Sequence, residues 1–438
     1  MLNVTRYCSK SLTNSTLTKC LPSWRNLLTN NNTAKVNVFQ NVFGSMKRSS
    51  FLLSKESLRQ SGTIAINYAS KASKNSDKIV GSWLLICGGM VFVAVALGGV
   101  TRLTESGLSM VTWKLLGEKM PINEEQWHIE FERYKQFPEY KITNKDMTLD
   151  EFKRIWWMEY FHRTWGRLIG GVFLIPATYF WLSGMLKSEM KIRVAVLGSL
   201  IGLQGLMGWY MVKSGLEDRF NEPSDVPRVS QYRLAAHLGL AFIIYSGFLY
   251  NALSYLIPAK KIGNGSLSIE NFNAAVKKLT FFRYLVHSTK GMIFLTAMSG
   301  AFVAGMDAGL IYNTFPKMAD KWIPDDLFAI PQTLRNFTEN PTTAQFQHRY
   351  LGIFSFVLVN IIAILARNHK LPGYGKTAVN TVLGAGYLQV SLGILTLLYH
   401  VPVPLAASHQ CGSLILLSSI LWLCHELKYV KYVKMLMK

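Results

Sequence analysis

The chain has 438 residues, half of them hydrophobic, and a formal net charge of +22. So basic a balance would suggest nucleic acid in a soluble protein, but here the apolar residues gather into long runs and much of the charge sits at the front, so no nucleic-acid partner is needed. Five cysteines without a C-x-x-C spacing exclude a zinc site and a disulfide framework.

Residues 1–70 carry nine Lys or Arg against a single acid, Glu56, in a background rich in Ser, Thr and Asn. That composition reads as a mitochondrial transit segment; a basic tail on a protein of another compartment is the alternative. Cys8 and Cys20 would leave with it, while Cys87, Cys411 and Cys424 sit in apolar runs. Behind this segment, apolar runs near 79–100, 160–185, 194–212, 232–257, 284–306, 344–366, 376–399 and 405–425 are each long enough to cross a bilayer. The expected fold is therefore an all-α integral membrane protein of eight transmembrane helices.

Short loops sort by charge. Those around 185–193, 258–283 and 367–376 are basic, as is the tail 427–438, whereas 213–230 has three basic and four acidic residues and 307–343 has three and five. Positively charged loops stay on the side from which insertion starts, which puts both termini in the matrix and the chain in the mitochondrial inner membrane.

Spans one to four resemble spans five to eight. Glu105-Ser-Gly-Leu matches Asp307-Ala-Gly-Leu; His162-Arg163-x-x-Gly166 matches His348-Arg349-x-x-Gly352; Gln204-x-x-x-Gly208 matches Gln389-x-x-x-Gly393; and Leu234-Ala-Ala-His237 matches Leu405-Ala-Ala-Ser-His409. Four matches in one order indicate a tandem repeat of two four-helix bundles, 79–258 and 284–426.

Each repeated histidine falls near the start of an even-numbered span, so His162, His237, His348 and His409 share one depth on the intermembrane-space side. Polar side chains at such depth face a partner or cavity. Two histidines per four-helix unit can approach a flat macrocycle from both faces, which is bis-histidine haem ligation. Arg163, Arg167 and Arg349 follow the ligands where haem propionates would emerge; interfacial snorkelling is the competing reading. His128, His287, His369, His400 and His425 have no place in this pattern and read as structural.

Glu159 lies three residues before His162, hence on the same helix face, and its counterpart is Gln345. The amide keeps the shape but cannot take a proton, so an acid/base role belongs to the first half; an interfacial charge is the bland alternative. A carboxylate di-iron site would need two Glu-x-x-His pairs and further acids, which the spans lack.

Together, Gly98-Gly-Val-Thr-Arg-Leu-Thr-Glu-Ser-Gly-Leu-Ser-Met, Glu159-Tyr-Phe-His-Arg-Thr-Trp-Gly-Arg, Gln204-Gly-Leu-Met-Gly-Trp, Gln347-His-Arg and Ser408-His-Gln resemble the haem A synthase family in its mitochondrial form, from about residue 79 onward. The resemblance implies oxidation of the C8 methyl group of haem O to a formyl group, giving haem A for cytochrome c oxidase. It further implies haem O as substrate between His162 and His237, a resident haem b between His348 and His409, and Glu159 serving the chemistry. Haem O synthase would supply the substrate and a matrix ferredoxin the electron link, with self-association left open. The alternatives are a di-haem b electron carrier, which would have equal, non-catalytic halves, and a haem chaperone, which would bind haem without permanent ligation or turnover.

Overall fold

The computed structural model describes residues 55–217, 228–259 and 269–430, with side chains placed over 75–217, 228–259 and 277–430. The chain divides into two units, Met1–Ser70 and Lys71–Lys438. In the first, the described residues 55–70 are helical; the rest of the expected transit segment lies outside the described residues, as do Lys260, Lys261 and the tail beyond 430.

Among the described residues there is no strand, and eight helices have 24 residues or more: α1 (Lys55–Leu103), α3 (Leu149–Leu182), α4 (Ser188–Gly215), α5 (Gln231–Leu256), α6 (Ile269–Gly305), α7 (Pro341–Arg367), α8 (Gly375–Leu398) and α9 (Val403–Glu426). A shorter helix, α2 (Glu124–Tyr134), lies between α1 and α3. The long helices overlap all the expected spans. Six are long and apolar enough to cross a membrane by composition; α3 and α6 are not among them. The chemistry that dilutes these two is visible: α3 carries Glu159, Arg163 and Arg167, and α6 carries Ser288, Thr289, Lys290, Thr296 and Ser299.

Large apolar side chains such as Ile175, Leu182 and Ile192 point outward and are more than two-thirds exposed, as a lipid-facing surface requires. One buried cluster runs through the bundle, including Leu84, Phe173, Phe248, Phe282, Ile362 and Leu417. Lipid offers no hydrophobic drive between helices, so close packing and polar bonds must hold them. Trp83 and Trp165 indoles donate to the carbonyls of Val172 and Met90 (3.0 and 2.8 Å), tying α1 to α3. Gln410 on α9 donates to the Val95 carbonyl of α1 (2.9 Å), and a Cβ on Gly99 would collide with that amide.

The sequence reading starts the second span at 160, but α3 begins eleven residues earlier. Thr148 and Glu151 form a reciprocal capping box there, and the extra turns pack Phe152 and Trp156 against Trp127, Phe131 and Tyr134 of α2. The connection between α1 and α3 is thus a folded aromatic cap packed on the first turns of α3, not simply a charged loop.

Both first helices of the two halves end alike. Glu105 and Asp307, matched in the repeat, each have φ of 51°, a left-handed conformation that reverses the chain after a helix and is costly for a side chain other than Gly, Asn or Asp. Asp307 then accepts from Arg102 of α1 (2.8 Å) and from Arg228 (2.6 Å), fastening the outer end of the second half to residues of the first.

Candidate functional site

On α3, Glu159 is 3% exposed yet fully solvated by protein donors. Its Oε2 accepts from the Ser109 hydroxyl and the Met110 amide, both 2.7 Å; its Oε1 accepts from Arg163 Nε (3.0 Å) and Nη2 (2.5 Å). Arg163 also donates to the carbonyls of Thr112 (2.6 Å) and Met110 (2.8 Å). A buried carboxylate and guanidinium compensate their lost hydration only when geometry and remaining hydrogen bonds are good, and here both are. One turn on, Arg167 donates to the carbonyls of Lys114 (2.6 Å) and Leu115 (3.2 Å) and to Glu118 (3.1 Å). Residues 109–118 are therefore strapped onto α3.

The second half repeats the strap with one reversal. Arg349 donates to the carbonyls of Tyr312 (2.6 Å) and Thr314 (2.8 Å), the repeat counterparts of Met110 and Thr112. Gln345, also 3% exposed, donates through Nε2 to the Tyr312 carbonyl (3.0 Å), whereas Glu159 accepts from the Met110 amide. The same pocket thus holds an acceptor in one half and a donor in the other. Arg163, Arg167 and Arg349 each spend at least two donors on backbone carbonyls, so their first duty is to shape the loops beside the histidines.

All four expected histidines are half-buried, and each meets a glycine of another helix. A Cβ on Gly98 of α1 would lie 2.9 Å from His162 Cε1; on Gly300 of α6, 3.0 Å from His348 Cε1; on Gly393 of α8, 2.8 Å from His409 Cε1; on Gly208 of α4, 3.4 Å from His237 Cε1. Gly98 and Gly300 stand seven residues before Glu105 and Asp307, so the seats recur in register. Gln204 on α4 donates to the His237 carbonyl (3.0 Å).

The rings of His348 and His409 have centroids 6.2 Å apart and planes at 88°. Two metal–imidazole nitrogen bonds of about 2 Å, each with roughly 1 Å more to its ring centre, set such centroids roughly 6 Å apart. The pair therefore fits an iron held between two imidazoles. His162 lies within electrostatic reach of His237. Among the described residues no group of three or more His, Cys, Asp or Glu is placed to hold a metal ion, so iron at these histidines would need a macrocycle to complete its coordination.

A cleft of about 340 Å³ is lined by Val111, Trp113, Phe137, Trp209, Val212 and Lys213 among others. Val111 belongs to the strap that holds Glu159, and Trp209 follows the glycine facing His237. Under the aromatic cap lies a carboxyl that the sequence reading did not single out. Glu139 is 7% exposed; burial pushes it up to about 8, the Tyr134 hydroxyl bond opposes that, and the charge of Glu159 adds to it. Its only sequence signal was an acid among aromatic residues.

The model of a family of cytochrome oxidase assembly proteins, COX15-CtaA, matches residues 81–421. The chain belongs to this family. It is 54% identical over 372 residues to the human protein named haem A synthase COX15, covering 85% of this chain and 87% of the relative. A bacterial haem A synthase from Nitrosospira multiformis is 43% identical, with 80% of this chain and 94% of the relative covered. A Schizosaccharomyces pombe relative named haem A synthase-mitochondrial ferredoxin fusion protein is 41% identical, over 82% of this chain and 61% of that protein. The family match spans every residue of the histidine, glycine and arginine sets above.

Proposed function

We propose that the chain is a mitochondrial haem A synthase whose halves divide the work: the first, 79–258, oxidises the C8 methyl group of haem O to a formyl group, and the second, 284–426, keeps a resident haem b. His162 and His237 would hold the iron of the substrate haem, and His348 and His409 would hold that of the resident group. The observation that carries this division is the exchange of Glu159 for Gln345 inside otherwise matched arginine straps. A carrier with two equivalent haems would have no use for it.

All eight long helices cross the inner membrane as a tandem repeat, α3 and α6 included, with both termini in the matrix. The Lys and Arg bias of the loops supports that orientation, and the matched turns at Glu105 and Asp307 support the repeat. Residues 1–70 serve as the transit segment and 427–438 as a basic matrix tail. The fused relative supports a matrix ferredoxin as electron partner; haem O synthase delivers the substrate.

The haem iron supplies redox chemistry that the side chains lack. What the chain supplies is orientation and proton handling. Arg163 and Ser109 hold the Glu159 side chain in place three residues before His162, the Ser109 hydroxyl donating to it at an O···O distance of 2.7 Å. Taking a methyl group to a formyl group requires proton transfers beside the reacting carbon, and Glu159 is the side chain of the first half placed to move protons, with the Ser109 hydroxyl as its neighbour. The cleft by Trp113, Trp209 and Lys213 gives a carboxylate-bearing haem edge an opening to water.

Analysis of extracted haems tests the reading. The purified protein should yield haem b together with haem O or its oxidised forms; His348→Ala or His409→Ala should lose haem b, and His162→Ala or His237→Ala the others. Glu159→Gln should retain both haems and stop haem A formation. Extraction of haem b alone from the parent, or undiminished haem A from Glu159→Gln, would overturn the assignment.

A further inference from the structure

The ligand seats are alike in space but not in hydrogen bonding. His348 Nδ1 lies 2.9 Å from the Ser299 hydroxyl and 3.1 Å from the Thr296 carbonyl, both on α6. The Ser299 hydroxyl in turn donates to that same carbonyl (2.7 Å). With its proton committed there, the serine oxygen is left as an acceptor, and so is the carbonyl. Both partners therefore call for a proton on Nδ1, which leaves the lone pair on Nε2. That is the tautomer an iron ligand needs.

The first half has no counterpart. In the register set by Glu105 and Asp307, Thr296 and Ser299 correspond to Ala94 and Leu97. Leu97 offers no side-chain acceptor, and Nδ1 of His162, of His237 and also of His409 is buried without a side-chain hydrogen-bond partner, so His348 is the one histidine of the four that is clamped. His237 is also the ligand with the most room before its glycine.

We propose that the Thr296 carbonyl and Ser299 hydroxyl form a positioning clamp that fixes His348 as a rigid, strongly donating ligand, and that its absence beside His162 leaves the first site free to exchange its haem. The proposal rests on the assignment of His348 and His409 to a resident haem. Hydrogen-bonded partners of a ligating imidazole fix its ring and raise its basicity, and losing them costs about 10–100-fold in affinity. A site that must admit substrate and release product is better served without that restraint; a site that keeps its group is better served with it.

The test uses full-length holoprotein in detergent, following haem b by its low-spin spectrum, its midpoint potential and its rate of transfer to an excess of apomyoglobin. Ser299→Ala should keep the bis-imidazole spectrum, lose haem b about tenfold faster because the Thr296 carbonyl remains, and shift the potential upward, since a weaker donor stabilises ferric iron less. Ser299→Thr, which keeps the hydroxyl, should restore the parent's potential. Leu97→Ser should slow release of the first-half haem. Parent-like transfer rate and potential in Ser299→Ala would overturn the clamp. His348→Ala separates the two claims: if it keeps a bis-imidazole haem b, the ligand assignment itself fails, whereas loss of that haem with an unresponsive Ser299→Ala fails the clamp alone.

Discussion

Gly393→Ala puts the glycine seats to a quantitative test. The added Cβ would stand 2.8 Å from Cε1, 3.3 Å from Nδ1 and 3.5 Å from Nε2 of His409, where carbon atoms rest at about 3.5–4.0 Å. In haem-free protein the ring can swing away, and alanine is favoured over glycine in a helix by about 1 kcal/mol, so folding should suffer little. Were His409 to hold a haem iron with His348, as proposed, its ring could not swing away from the present arrangement, in which the two rings stand 6.2 Å apart and perpendicular. The overpacking cost, about 1–3 kcal/mol, then falls on binding and weakens haem b affinity by about 5–150-fold.

Gly208→Ala supplies the contrast, because its Cβ meets only His237 Cε1 at an ordinary 3.4 Å and should leave haem content unchanged. The assay is the haem-to-protein ratio and low-spin fraction of each purified variant, beside the thermal midpoint of the haem-free form. Parent-like haem b in Gly393→Ala, or an equal loss in Gly208→Ala, would refute the seat argument.

Two further outcomes concern the aromatic cap. Because Glu139 is pushed up to about 8 by burial, the folded cap binds a proton more tightly than the unfolded chain; stability is greatest below the ordinary carboxylate range and is lost as pH rises through about 8. Glu139→Gln should flatten that dependence, read from the unfolding of the tryptophan signal of Trp127 and Trp156 across pH 5–9, while an unchanged slope would show that another group carries it. Thr148→Ala should remove the capping box of α3 at a cost of about 1 kcal/mol, seen as faster amide exchange confined to the outer turns of α3; uniform loss of protection along the helix would contradict a local cap.

Six of the eight expected spans were legible because bilayer thickness imposes a long apolar run on each helix, and the matched turns at Glu105 and Asp307 were legible because their sequence contexts recur in one order. The outer extension of α3 was not, since Trp156 and Phe152 sit among charged residues without a clean apolar period and are buried only by α2, although Thr148 and Glu151 marked the true start. Gly208 and Gly393 were visible as repeat positions, but their purpose depends on which helix faces which histidine. The same holds for Ser299: a serine in an apolar span is unremarkable until its hydroxyl is found 2.9 Å from a ligand nitrogen.

The sharpest case is Glu159. From sequence, its exchange for Gln345 reads as gain or loss of a titrating group. In the fold it is also a reversal of hydrogen-bond direction, accepting from the Met110 amide in one half and donating to the Tyr312 carbonyl in the other. Arg163 and Arg349 hold the same carbonyl positions in both halves, so the frame is preserved while the field beside each histidine differs: a compensated ion pair at His162, an uncompensated guanidinium near His348. Repulsion would meet a carboxylate put at 345 from the Tyr312 carbonyl, whereas an amide at 159 leaves Arg163 its bonds to the Thr112 and Met110 carbonyls and Glu118 at 4.0 Å. On the proposed division of labour, that difference in hydrogen-bond direction is what would keep reaction at the first pair of histidines apart from retention at the second.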